Sequence, residues 1–132
     1  MSLIPKRGGI MGRLPRLHVF QLGAGTVLTA DQVRDCKRAG ARIIVAPDAD
    51  AEVIRTALGM GLTPYPGAAT PTEAFAAIKA GATKVKLFPS SAVGISGMRA
   101  WSEVLPTGTE LFPVGGRRSS PRGWTGKRAW KA

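Results

Sequence analysis

The chain has 132 residues, with 19 Lys and Arg against 8 Asp and Glu, one His and one Cys. That length makes one domain with one modest core and falls short of the ~200 or more residues of a complete β/α barrel. A single cysteine excludes an intramolecular disulfide and a cysteine-rich metal cluster. A single histidine excludes any site needing two, and no apolar run approaches the ~18 residues of a membrane span.

Residues 1–20 are basic and lack a continuous apolar stretch, so no secretory leader and a cytoplasmic location are expected. Four bases and no acid lie in the first 22 residues, and six bases and no acid in the last 16. Between Gly23 and Gly116 nine bases face all eight acids. The net charge of +11 therefore belongs to the ends, and the middle is not a basic domain.

A strand is predicted near 18–22, carrying His18 as an ordinary strand residue, and Gly23-Ala24-Gly25-Thr26 follows it as a turn. A helix is predicted near 30–39, opened by Thr29 with Gln32 three residues later and burying Val33 and Cys36. A strand near 42–46 leads through Ala46-Pro47-Asp48 to a helix near 50–59, capped by Asp50, with Val53, Ile54, Ala57 and Leu58 on one face. A strand near 62–66 leads through Pro66-Gly67-Ala68 to a helix near 71–80, opened by Thr70, Pro71 and Glu73. A strand near 83–88, a helix near 96–105 and a strand near 110–114 follow. The caps Thr29, Asp50 and Thr70 are 21 and 20 residues apart, and so are the terminating glycines Gly40, Gly61 and Gly81. Strands alternating with short helices imply a parallel sheet, as in a β/α barrel or an open doubly wound sheet. The tail 117–132 has no apolar period and no acid and reads as disordered, although Trp124 and Trp130 among its bases also suit base stacking.

Each strand ends in Gly, Pro or small residues, and parallel α/β folds bind ligands at the carboxyl ends of their strands. Turn chemistry alone also favours those residues. Lys86 lies within Val85-Lys86-Leu87-Phe88-Pro89, where alternation puts Lys84, Lys86 and Phe88 on one face. If that face is a barrel interior, desolvation favours the neutral amine, which attacks a carbonyl to form a Schiff base. The alternative is a lysine on a solvated edge strand. Gly115-Gly116 offers backbone N–H groups to a phosphate. Gly23-x-Gly25 is too little for a dinucleotide fingerprint. Thr26, after a glycine turn, either donates to a carboxylate or satisfies its own turn. Cys36 is read as a packing residue.

Four segments carry a family resemblance: Gly23-Ala24-Gly25-Thr26-Val27-Leu28, Pro66 through Phe75, Lys86-Leu87-Phe88-Pro89-Ser90-Ser91, and Val114-Gly115-Gly116. In order and spacing they resemble the 2-keto-3-deoxy-6-phosphogluconate and 6-phosphogalactonate aldolases, over residues 21–116. The resemblance implies a class I aldolase on a TIM-type β/α barrel, a homotrimer without metal or cofactor. Such enzymes cleave a phospho sugar acid to pyruvate and glyceraldehyde 3-phosphate. It implies that Lys86 is the Schiff-base lysine, that Thr26 helps hold the pyruvate carboxylate, and that Gly115 and Gly116 form part of the phosphate site. Val114 and Ser90-Ser91 resemble the galactonate branch, so Val114 is a specificity position and the expected activity is 2-dehydro-3-deoxy-6-phosphogalactonate aldolase.

The departures are as specific. The family's glutamate base precedes the Gly-Ala-Gly-Thr motif, and this chain has no acid before Gly23. After Gly116 it reads Arg117-Arg118-Ser119-Ser120-Pro121-Arg122 in place of a unit with a phosphate-binding serine. The expected fold is α/β, a partial barrel of about five parallel strands and four helices with two open edges. Residues 1–20 form a basic, poorly matched segment, 21–116 the partial barrel, and 117–132 a basic tail; the ends read as aberrant translation. Little retro-aldol turnover is expected, with a small phospho sugar acid as ligand and neither nucleic acid nor membrane as partner. The other function classes are a non-catalytic phosphate-ligand module and a nucleic-acid binder driven by the ends.

Overall fold

The computed structural model describes residues 18–19, 23–114 and 130–131. Most of the expected end segments 1–20 and 117–132, including Trp124, lie outside the described residues, as do Gly115 and Gly116 at the end of the expected barrel segment. Three helices start where the caps predict. For α1 (Ala30–Arg38), Thr29 Oγ1 accepts from the Gln32 N–H at 3.1 Å, while Gln32 Oε1 accepts from the Leu28 N–H at 2.8 Å. The reach-back therefore lands one residue before the cap. For α2 (Ala51–Gly59), Asp50 Oδ1 accepts from the N–H groups of Glu52 and Val53. For α3 (Pro71–Lys79), Thr70 Oγ1 accepts from the Glu73 N–H, and Glu73 Oε1 accepts from the Thr70 hydroxyl at 2.8 Å and the Ala69 N–H at 3.3 Å. The helices end before Gly40, Gly61 and Gly81, all with φ between 75° and 111°.

Between them run the parallel strands β2 (Gly23–Gly25), β3 (Ile43–Val45) and β4 (Thr63–Tyr65), then β5 (Gly67–Ala68), β6 (Lys84–Leu87) and β7 (Glu110–Pro113). Two-residue antiparallel strands lie on the outer sides, β1 (His18–Val19) on β2 and β8 (Trp130–Lys131) on β7. Each outer parallel strand, expected as an open edge, thus carries a short partner, and short edges template little further pairing. Helix α4 (Ser90–Val104) completes four strand-linked helices among the described residues. The architecture is α/β, a partial β/α barrel.

Three expectations need correction. The strand expected near 18–22 is met by β1 at His18–Val19, but the segment read as the turn after it, Gly23–Gly25, is itself the strand β2. Ala24 fills the core while Gly23 pairs with Ile43, so tertiary register overrides the low strand propensity of glycine. The strand expected near 62–66 becomes β4 and β5, broken at Pro66. Along this segment Thr63 and Tyr65 bond toward β3, through the Thr63 N–H to Arg42 and the Ala46 N–H to Tyr65. Pro64 and Pro66 occupy the alternate positions and have no N–H for the other side; what remains there is the Lys86 N–H donating to the Pro66 carbonyl at 2.7 Å. The prolines thus divide the wall into two hydrogen-bonded sheets, β1–β4 and β5–β8. Finally, the helix expected near 96–105 begins at Ser90. Its first turn is set off by Gly94, at φ 72° and ψ 172°, so the helical period read from 96 onward missed it.

Alternation sends Ala24, Ile44, Val85, Leu87 and Leu111 outward against the helices, where they form two apolar clusters. The opposite face carries Ile43, Val45, Thr63, Tyr65, Lys84, Lys86, Glu110 and Phe112, all of intermediate exposure. The rings of Tyr65 and Phe112 meet edge-to-face at 5.1 Å across that inner face. Among the described residues no helix is long and apolar enough to cross a membrane, and no group of three His, Cys, Asp or Glu is placed to hold a metal.

Candidate active site

Lys86 is placed by β6. Val85 and Leu87 are fully buried against α3 and α4, which forces Lys84 and Lys86 onto the inner face. Register sets Lys86 between Gly67 on β5 and Phe112 on β7. Lys86 is half-buried, and desolvation holds its amine below the ordinary lysine value of 10.5. Lys86 Nζ lies 4.4 Å from the centre of the Phe88 ring. That contact favours the ammonium, by about 0.5–1 kcal/mol at exposed sites. Phe88 is partly exposed, and the net direction remains downward, so desolvation wins.

Lys84, on the same face, is engaged differently. Its Nζ donates to Glu110 Oε1 at 3.0 Å, directly across the parallel register, with side-chain exposures of 26% and 29%. Of the two inner-face lysines, one is held by a carboxylate, and the other makes no ion pair among the described residues. Sequence reading missed Glu110 and the Tyr65–Phe112 contact. The spacing Lys84-x-Lys86 against Glu110-x-Phe112 carried a signal, legible only once β6 and β7 are aligned in parallel.

Thr26 closes β2 and is exposed, with φ at +60°, the one described residue other than glycine at positive φ. Next to it the Val27 N–H donates to the Val45 carbonyl at 3.1 Å, fixing this turn to the end of β3. Val114 follows β7 and is exposed; its N–H donates to Leu87 at 3.0 Å and its carbonyl accepts from the Ser90 N–H at 2.8 Å. Lys86, Phe88 and Val114 therefore gather where β6 and β7 end. Thr26 stands at the same carboxyl end of the wall, but on β2, with β3 and the β4–β5 strand between. Gly115 and Gly116 fall outside the described residues.

The other candidates separate cleanly. Cys36 is fully buried in the α1 side of the core, and burial first, then the neighbouring Asp35 carboxylate, push its thiol up to about 11. Such a thiol packs and does not react at neutral pH. His18 contributes backbone to β1, and Trp130 pairs with Leu111 through β8. A shallow cavity of about 260 Å³ opens at the starts of α1 and α2, lined by Asp31, Arg34, Asp50 and Glu52 among others, and does not include Lys86.

Residues 14–124 match the family described as KDPG and KHG aldolase. The 2-dehydro-3-deoxy-6-phosphogalactonate aldolase of Escherichia coli K12 is 50% identical over 95 residues, 72% of this chain and 46% of its own length. A solved native KDPGal structure superposes with a TM-score of 0.68 at 44% identity, covering 81% of this chain and 51% of that one. The Legionella pneumophila KDPG aldolase, solved with pyruvate captured as a covalent carbinolamine, superposes at 0.67 with 30% identity, covering 81% of this chain and 50% of that one. The chain spans about half the length of the curated relatives it matches.

Proposed function

Because the chain belongs to the KDPG and KHG aldolase family, we propose that Lys86 is its Schiff-base lysine, in a barrel segment of the 2-dehydro-3-deoxy-6-phosphogalactonate aldolase type. The observation that carries this is a half-buried inner-face lysine, its proton affinity lowered by desolvation, at the carboxyl ends of parallel strands. The neutral amine attacks the C2 carbonyl of a 2-keto acid, and loss of water leaves an imine. The positively charged imine then accepts the electron pair released when the C3–C4 bond of the phospho sugar acid breaks. Glyceraldehyde 3-phosphate leaves first; the enamine left on the lysine takes a proton at C3, and water hydrolyses the imine to release pyruvate and restore the amine, with no cofactor consumed.

In this reading the Thr26 hydroxyl, on its exposed turn, helps hold the substrate carboxylate. Gly115 and Gly116 contribute to the phosphate site, and Val114 sets the preference for the galactonate configuration. Bond cleavage also needs a base for the C4 hydroxyl proton.

Borohydride reduction in the presence of pyruvate tests the proposal. The expected result is a stable adduct mapped to Lys86 and absent from Lys86→Met. The trapping rate should rise with pH and level off at a midpoint below 10.5, because only the unprotonated amine attacks. Phosphate-ligand binding without any adduct would overturn the catalytic reading and favour a non-catalytic module.

A further inference from the structure

Lys84 and Lys86 leave β6 on one face, about 6.6 Å apart along the strand. By residue type alone either suits imine chemistry. Their surroundings separate them. Lys84 Nζ is 3.0 Å from Glu110 Oε1 in a largely buried cross-strand pair, whereas Lys86 stands opposite Phe112. The titratable groups facing Lys86 are Lys84 on its own strand, Glu110 on β7 and Tyr65 on β4. Strand β5 contributes Gly67 and Ala68, which carry none. Helices α3 and α4 pack on the other face of β6 through Ala74, Ala77, Met98 and Trp101.

We propose that Glu110 is a positioning residue: it holds Lys84 out of the chemistry, leaves Lys86 as the nucleophile of this strand, and sets the pH range in which Lys86 reacts. The proposal rests on the reading of Lys86 as the Schiff-base lysine. Paired, Lys84 and Glu110 present little net charge to their neighbour. Unpaired, either one acts on Lys86 across the two-residue strand spacing, ~6.6 Å, of partly screened space. At effective dielectric constants between those of a protein surface and water, that displaces the Lys86 titration by about half a unit to one and a half units. The sign depends on which partner remains. A lone Lys84 ammonium disfavours a second ammonium and moves the midpoint down; a lone Glu110 carboxylate moves it up.

Competitive acetylation with acetic anhydride across neutral to alkaline pH, read peptide by peptide, reports Lys84 and Lys86 separately in the full chain. Glu110→Gln is expected to lower the Lys86 midpoint by about half a unit or more, and to make Lys84 acetylate faster. Lys84→Met is expected to raise the Lys86 midpoint by a similar amount. The double variant should return to within a few tenths of a unit of the parent. Loss of packing gives no reason for shifts of opposite sign, so two shifts of the same sign, or none, overturn the proposal. If one single variant does not fold, the sign of the other, measured against the double variant, decides. Acetylation needs no pyruvate, so failure to trap pyruvate on Lys86 overturns the catalytic reading separately.

Discussion

Thr26 holds a backbone conformation, φ +60°, in which the Cβ of an L-residue crowds the following carbonyl, at a cost of about 1–2 kcal/mol. A β-branched residue there is uncommon, and glycine would occupy the same turn without strain. A hydroxyl kept at that cost at the mouth of the wall fits a role in holding a carboxylate. Thr26→Gly is therefore expected to raise stability by about 1 kcal/mol in urea unfolding, and to raise the pyruvate concentration needed for half-maximal trapping. A loss of stability, or unchanged trapping, would show that the threonine serves its turn instead. Lys86 and Thr26 stand out in the sequence as candidates because of their types and motif spacing. The strain at Thr26 and the different engagement of Lys84 do not, since both depend on backbone angles and on a strand distant in sequence.

At the scale of elements, the caps carry most of what the sequence declares. Thr70, Glu73 and the backbone of Ala69 form a closed set of hydrogen bonds that starts α3 directly after β5. Thr70→Ala is expected to cost about 1 kcal/mol, read as a lower urea midpoint with an unchanged slope. Thr29, Asp50 and Thr70 were readable because a cap acts within four residues of itself. Strands fared less well. The β2 segment is Gly-Ala-Gly and becomes a strand because β3 offers it a ladder, and the 63–68 segment breaks because Pro64 and Pro66 fall on the side facing β6. Which side of a strand a proline faces is a property of the pairing. The start of α4 at Ser90 is similar: the Val114 carbonyl that accepts from the Ser90 N–H arrives from β7.

For the whole molecule, the two apolar clusters are joined at α2, where Val53 and Ala57 pack on the α1 side and Ile54 on the side of α3, β6 and α4. A second junction lies at Gly67. Its N–H donates to the Asp48 carbonyl at 3.0 Å, and a Cβ placed there would overlap the Pro47 carbonyl, which is backbone and has little room to give. Gly67→Ala is expected to cost about 3 kcal/mol in thermal or urea unfolding, and to depress trapping, because Gly67 is the register partner of Lys86. Equal stability of this variant would mean that the β3–α2 loop moves freely against β5. The sequence by itself determined the order and type of the strand–helix units, the caps and the family, and it singled out Lys86 as the lysine now proposed for imine chemistry. Those rest on hydrogen bonds and motifs spanning a few residues. Only the tertiary structure decided where the wall divides, that Lys84 pairs with Glu110 while Lys86 lies over the Phe88 ring, and which groups from distant strands share the inner face. Those follow from strand register, which brings Glu110 to Lys84 across 26 residues of chain and has no local signature.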